Sequence, residues 1–218
     1  MIFNEKLLFI HNGKTGGSSC TQYLLENLGG LIRNCDAEAG ESGDARIINL
    51  TDINRHCTLR AARQHLSNRF NLSLSDFERI LVCIRHPYTL ETSFYHHLRK
   101  PEVRERRKKS AELLALADGP FEEFIQHAGF HRAGLAQQDY FLIDGTVPEN
   151  VQLIRYETLA ADFIQACRPY LRGNSAGVFP HINQSARPFG DDDLLSGRAK
   201  RLIREKHAYM FEAGYYSA

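Results

Sequence analysis

The chain has 218 residues, 43% hydrophobic and 24% charged. That is ample length for a core and an ordinary globular composition, so the expectation is a single domain over residues 1–218. A formal net charge of +1 gives no chain-wide case for nucleic acid or a membrane surface, so any basic patch has to be local. No apolar run reaches the length of a membrane span, and Met1 to Lys6 contains no apolar signal core. Cys20, Cys35, Cys57, Cys83 and Cys167 are widely spaced, with no Cys-x-x-Cys pair. They imply neither a zinc site nor a disulfide framework, and they fit a reducing cytoplasm.

Leu7-Leu8-Phe9-Ile10 reads as a buried strand. The turn Gly13-Lys14-Thr15-Gly16-Gly17-Ser18-Ser19 follows, and then a helical pattern from about residue 18 to 28 with Cys20, Leu24 and Leu28 on one face. Gly29-Gly30 stops that helix. Small residues let backbone N–H groups approach an anion, the new helix aims its positive end at it, and Lys14 adds a full charge. This is a phosphate cradle, but not the standard triphosphate loop. That loop needs a glycine five positions before the Gly of Gly-Lys-Thr. Here that position is Leu8, inside the strand.

Residues 33–45 are small and polar and read as a loop, and 47–50 as a second strand. Residues 58–70 have helical spacing through Leu59, Ala62 and Leu66. The largely apolar run 79–84 has the mark of a strand covered on both faces. Pro87 opens a helix with the stripe Leu90, Phe94 and Leu98, and Pro101 ends it. The basic run 104–109 follows, then helical segments near 110–117 and 121–128 and a turn at Asp144-Gly145. Residues 151–155 read as a strand, 156–171 as largely helical, 173–190 as a loop, and 193–211 as a last helix. Strands alternating with helices predict an α/β fold, a parallel sheet with helices on both faces.

The strand 79–84 runs into Arg85-His86-Pro87. In open parallel sheets, ligands bind outside the carboxyl ends of the strands, so Arg85 is expected on the same rim as Lys14. A triphosphate-hydrolysing enzyme usually wants an aspartate at such a strand end to hold magnesium. An arginine binds an anion there and repels a metal. Ser93 lies two helical turns on and flanks the apolar stripe, so its hydroxyl is expected to face the rim. A guanidinium plus a hydroxyl suits a phosphate. The plainer alternatives are an Arg85 paired with a surface carboxylate and a Ser93 that only lines a helix side. Two anion sites on adjacent strand ends fit a nucleotide with two separate phosphates.

These residues resemble a known family. His11-x-x-Lys14-Thr15-Gly16-Gly17-Ser18-Ser19 is similar to the 5′-phosphosulfate loop of carbohydrate sulfotransferases, especially the heparan-sulfate 2-O-sulfotransferase-like group. Arg85-x-Pro87 with Ser93 resembles their 3′-phosphate motif. Further along, His56-Cys57-Thr58-Leu59-Arg60, Ile154-Arg155-Tyr156-Glu157-Thr158-Leu159 and Phe179-Pro180-His181-Ile182-Asn183-Gln184-Ser185 resemble the family's His-Ala-Thr-type, Arg-Phe/Tyr-Glu-x-Leu and Leu-Pro-His-x-Asn-x-Ser segments, in the family's order. Three positions depart from the pattern: Gly13 stands for proline, Ser18 for threonine and His86 for aspartate or asparagine. Animal members carry a Golgi membrane anchor; the absence of an apolar leader here leads to the expectation of a compact, bacterial-type enzyme.

The resemblance implies a P-loop-like three-layer fold and PAPS (3′-phosphoadenosine-5′-phosphosulfate) as sulfuryl donor, with no metal required. Lys14 and the backbone of Thr15, Gly16, Gly17, Ser18 and Ser19 would hold the 5′-phosphosulfate, and Arg85 and Ser93 the 3′-phosphate. Tyr156 and Arg187 are carried over as nucleotide neighbours from the position of their segments. Sulfuryl transfer needs a stabilised leaving phosphate, for which Lys14 is the candidate. It also needs a base for the acceptor hydroxyl, for which His56 is the candidate, since histidine titrates near working pH. His181 is a rival base, whereas His11 reads as a structural residue and Glu157 as ordering a helix start. The implied acceptor is a carbohydrate or another hydroxyl compound, with no nucleic acid and no membrane span involved. The basic run 104–109 is either a solvated helix face or a patch for an anionic acceptor such as a uronic-acid polysaccharide. Two other readings stay open: a P-loop small-molecule kinase using ATP and magnesium, and a non-catalytic nucleotide-binding module.

Overall fold

Leu7–Ile10 and Arg79–Ile84 pair in parallel, Ile10 opposite Val82, and form the centre of a sheet in the computed structural model. The structure describes residues 1–35, 43–128, 135–173, 177–182 and 191–217. In chain order the elements are β1 (Ile2–Phe3), β2 (Leu7–Ile10), α1 (Gly17–Asn27), β3 (Ile32–Asn34), β4 (Ile47–Asn49), α2 (Leu59–Phe70), β5 (Arg79–Ile84), α3 (Pro87–Leu98), α4 (Pro101–Arg106), α5 (Ala111–Asp118), α6 (Phe121–His127), β6 (Val151–Arg155), α7 (Leu159–Cys167), α8 (Asp191–Leu194), α9 (Gly197–Lys206) and α10 (Ala208–Glu212). The chain divides into two compact units, residues 1–84 with 139–183 and residues 85–138 with 184–218.

The first unit carries a six-stranded sheet in the order β4-β3-β1-β2-β5-β6. The sheet is mixed. Three pairs are parallel, and β1 runs antiparallel to both its neighbours, β2 and β3. The purely parallel expectation fails at β1 because Asn4 turns the chain tightly back on itself. Its Oδ1 accepts from Lys6 N at 2.9 Å and Leu7 N at 2.8 Å, so β1 and β2 form a hairpin. β3 likewise takes Arg33 and Asn34 out of the stretch expected to be loop; residues 36–42 lie outside the described residues.

Helices cover both faces. Phe9, Leu81, Cys83 and Ile154 share one face and pack with Cys20, Tyr23 and Leu24 of α1 and Phe163 and Cys167 of α7. Phe3 points to the other face, where its ring meets Phe70 of α2 edge-on at 5.3 Å. Thr58 caps α2, its Oγ1 accepting from Ala61 N. The segment after β6 is helical as expected, with single 3-10 turns at Tyr156–Thr158 and Arg168–Tyr170 flanking α7.

Among the described residues of the second unit, the regular elements are all helices. Its core joins Phe94 and Leu98 of α3, Ala117 of α5, Phe121 and Phe124 of α6, and Ala199 and Ile203 of α9. Pro101 does not merely end α3. It sits in the first turn of α4, where its missing N–H costs nothing. The single last helix is three pieces, because Ser196 accepts from Ala199 N and starts α9 afresh, and the chain breaks again at His207. Among the described residues no helix is long and apolar enough to cross a membrane.

Candidate functional site

The loop between β2 and α1 is built from its backbone outward. Lys14 has φ 62° and Gly16 φ 83°, so two left-handed residues, two apart, fold the chain back onto the start of the helix. Buried Asn12 ties the loop to the sheet, its Nδ2 donating to the Cys83 carbonyl of β5 at 3.1 Å. Thr15, also fully buried, closes the turn by donating from Oγ1 to the Asn12 carbonyl at 2.9 Å. Lys14 is the half-buried residue at the bend.

The helix end that this loop delivers has no cap. The N-cap of α1 is Gly16, which makes no side-chain cap bond, and the first turn holds no acidic residue. By contrast, side chains cap α2 and α9. The first i→i−4 bond of α1 is Cys20 N to Gly16 O, so the amides of Gly17, Ser18 and Ser19 lie upstream of the hydrogen-bonded ladder. Together they form a concentration of positive potential with a lysine beside it.

The glycines also answer to protein neighbours. A Cβ on Gly17 would enter the His11 imidazole, and one on Gly16 would strike Leu159 and come within 3.3 Å of the Tyr156 ring. Tyr156, 37% exposed, therefore lies against Gly16 of the loop. Ser19 accepts from Ile182 N at 3.0 Å, which pins the stretch after Phe179 onto α1, while the Phe179 ring packs on Tyr23 and Phe163. His181 is exposed beside that anchor.

His56 joins the same cluster through His11. The two rings meet edge-on with centroids 4.4 Å apart, and His56 Nδ1 lies 3.1 Å from the His11 carbonyl oxygen. Asn54 holds the preceding turn, its Oδ1 accepting from His56 N and its carbonyl from Cys57 N. Arg55 Nε donates to His56 Nε2 at 3.0 Å. His11, read from sequence as structural, is buried and links the candidate base to the loop. On α1, burial first and then the Cys83 thiol at 3.7 Å push the Cys20 thiol well above its ordinary range.

No family model, curated protein or solved structure matches this chain. The site therefore stands on its own geometry.

The second unit holds the other predicted anion residues. Arg85 follows β5 directly and is buried, 3% exposed. Gln137 clamps its backbone from both sides, accepting from Arg85 N at 2.6 Å and donating to Arg85 O at 3.0 Å. The hydroxyl set against the guanidinium is Thr89, one turn into α3, which accepts from Arg85 Nε at 3.1 Å. Ser93 is half-buried a turn further on. His86 caps α3 by accepting from Tyr88 N at 3.3 Å. The basic run is partly neutralised: Arg104 forms a two-pronged pair with Asp118, and Lys108 pairs with Glu105. Arg187 lies outside the described residues.

Sequence reasoning missed Asn12, Arg55, Thr89 and Gln137. Arg55 adjoins a singled-out histidine and Thr89 sits four residues after Arg85, so local spacing could have flagged both. Gln137 is 52 residues from the backbone it clamps, and nothing local marks it. Among the described residues no group of three or more His, Cys, Asp or Glu could hold a metal ion. A cavity of about 350 Å³ lined by Arg79, Ile154, Gln165 and Tyr170 involves none of the predicted site residues.

Proposed function

We propose that this chain is a PAPS-dependent sulfotransferase of P-loop-like fold that transfers a sulfuryl group to an acceptor hydroxyl, with a carbohydrate as the acceptor class. One observation carries the reading. The loop Lys14–Ser19 delivers an uncapped helix N-terminus, free of acidic residues, with a lysine at the bend. That arrangement favours a bound anion. The sequence pattern around it, through Arg85-x-Pro87 and the later segments, supplies the identity of the anion.

In this reading the amides of Gly17, Ser18 and Ser19 bind the 5′-phosphosulfate, Tyr156 lies against the nucleotide, and Arg85 binds the 3′-phosphate together with Ser93. The donor supplies the activated sulfuryl group. Lys14 stabilises negative charge on the departing phosphate oxygen without a metal. His56 accepts the proton of the acceptor hydroxyl at Nε2 as the new O–S bond forms and the bond from sulfur to the phosphate oxygen breaks. Its Nδ1, set against the His11 carbonyl, is the nitrogen that keeps its proton.

Calorimetry of PAP, the desulfated donor, against ATP, each with and without magnesium, tests the reading. Tight, metal-free PAP binding is the expected result. Magnesium-dependent ATP binding with no PAP binding would replace it with the kinase reading. PAP binding without turnover on any hydroxyl acceptor would leave a nucleotide-binding module.

A further inference from the structure

One face of the sheet turns polar at its end. Side chains alternate along a strand, so Arg79 lies on the same face as Leu81 and Cys83. The register sets Gln152 opposite Leu81 and Ile154 opposite Cys83, which puts Gln152 on that face too. Leu81, Cys83 and Ile154 are buried in the core with Phe163 and Cys167 of α7. Toward the start of both strands this apolar face gives way to Arg79 and Gln152. These two line the cavity of about 350 Å³ together with Asp162 and Gln165 of α7 and Tyr170 just beyond it. Asp162 and Gln165 are three residues apart, so they share a stripe of the helix beside the one that Phe163 and Cys167 bury. The cavity lies within the first unit, and Arg79 and Gln152 stand near the amino ends of strands whose carboxyl ends point toward the rim of the anion loop.

The polar groups of this lining are left to a ligand. Lys6, whose carbonyl accepts from Arg79 N, has its own counter-ion in Glu78 at 2.8 Å. The half-buried Arg79 guanidinium has no hydrogen bond or ion pair among the described residues, and neither do the side-chain amides of Gln152 and Gln165. Asp162 Oδ2 accepts from Thr158 Oγ1, and Oδ1 has no partner among the described residues. A guanidinium and a carboxylate thus line one cavity without pairing with each other. A simple anion would answer Arg79 and meet the charge of Asp162, and a simple cation would do the reverse. A neutral polyol would leave both charges uncompensated in a part-buried setting, where charges interact more strongly than in water. A zwitterion answers both. The guanidinium fork takes a carboxylate through two N–H groups, the Asp162 carboxylate takes an ammonium, and the two amides offer a donor and an acceptor each. Ligand sites run to about 300–1,000 Å³, so this volume, near the lower end, restricts the occupant to a small molecule. We infer that this cavity binds a free α-amino acid, with its carboxylate on Arg79 and its ammonium on Asp162. None of these residues belongs to the anion loop, and the inference does not rest on the reading of that loop.

Nitrogen-15 NMR of the whole chain, titrated with each of the standard α-amino acids in turn, tests this without any nucleotide. At least one is expected to bind the wild-type protein and to move the backbone signals of Gln152 and Gln165. Arg79→Gln and Asp162→Asn each remove one charge and keep hydrogen-bonding atoms. Each is expected to weaken that amino acid by about tenfold to a hundredfold, the scale of one charge-assisted hydrogen bond. Lys14→Met is expected to leave the affinity unchanged, whereas a carboxylate held by the anion loop would respond to it. Glucose and inorganic phosphate, the neutral and the anionic probe, are expected to leave the Gln152 and Gln165 signals in place. Four results overturn the proposal: no amino acid moves those signals, either charge-removing variant keeps the wild-type affinity, Lys14→Met loses it, or glucose or phosphate moves the signals as the amino acid does.

Discussion

Gly17 and His11 are packed so closely that the imidazole occupies the space a Cβ would need. His11 in turn holds His56, so one missing methyl group links the anion loop to the candidate base. Gly17→Ala has to push the buried His11 ring aside. Overpacking of this kind costs about 1–3 kcal/mol. The expected outcome is a lower melting temperature together with weaker PAP binding and a changed His56 NMR environment. Ser18→Ala, at a half-buried neighbour in the same turn, is the control that leaves the His56 signal in place. Calorimetry and a thermal melt of the two variants check this.

Lys14 and His56 are assigned different tasks, so their variants should fail differently. Lys14→Met removes charge from the departing oxygen and from the bound donor. Turnover should fall by about two to three orders of magnitude, the scale for losing one stabilising donor, with weaker PAP binding alongside. His56→Ala removes only the base. Turnover should fall by about two to four orders of magnitude while PAP affinity stays near wild type. Steady-state kinetics with PAPS, paired with PAP titrations, separates the two patterns. Equal turnover in His56→Ala and wild type would move the base to another residue.

Gln137 tests the second anion element from within its own unit. Its amide satisfies both the N–H and the C=O of buried Arg85. Gln137→Leu fills similar space and leaves both groups unpaired, at about 1–3 kcal/mol for each. Urea unfolding should show the loss. Because Arg85 is the proposed partner of the 3′-phosphate, PAP affinity should fall further than affinity for the 5′-monophosphate analogue that lacks the 3′ group. Equal losses for both ligands would separate Arg85 from 3′-phosphate recognition.

Local chemistry made much of this fold legible. Thr58 before an apolar stripe, Pro87 at a first helical position, and the apolar run 79–84 each specify their element through a few neighbouring residues, and each element appears where expected. The antiparallel β1 is only two residues long, too short for any period to register. It exists because Asn4 and two strand partners hold it. The break of the last helix at Ser196 was written in a capping serine, but the apolar spacing runs through it and masked the stop. At the site, the order Gly-Lys-Thr-Gly-Gly announced an anion loop. The left-handed Lys14 and the His11 packing on Gly17 are local but are matters of backbone and ring placement that residue identity does not reveal, and the His56 contact with the His11 carbonyl joins residues 45 apart in sequence. Gly16 and Gly17 are required by protein packing, which a sequence cannot separate from the anion approach expected of them.

Glu91 gives the second unit an acid limit of its own. It is fully buried on α3, where His207 Nε2 lies 2.7 Å from Oε1 and Lys206 Nζ donates to Oε2 at 3.1 Å while also donating to the Ala128 carbonyl. Burial alone would raise its pKa. The His207 hydrogen bond and the Lys206 charge outweigh burial and hold it below the ordinary 4.5. A carboxyl depressed in the folded state stabilises the fold above its unfolded value and loses that contribution as pH falls through the folded value. The wild-type urea midpoint should therefore hold above pH 4.5 and decline below it. Glu91→Gln removes the charge and leaves Lys206 and His207 without their counter-ion, at about 3–5 kcal/mol for one broken buried pair. Its urea midpoint at pH 7 should be lower, and the decline below pH 4.5 should be shallower because one depressed carboxyl is gone. Far-UV circular dichroism, which needs no tryptophan, follows both transitions in a chain that has none. An equal acid slope in wild type and variant would mean that Glu91 stays ionised to lower pH than the unit stays folded, and the acid limit would then belong to another carboxyl.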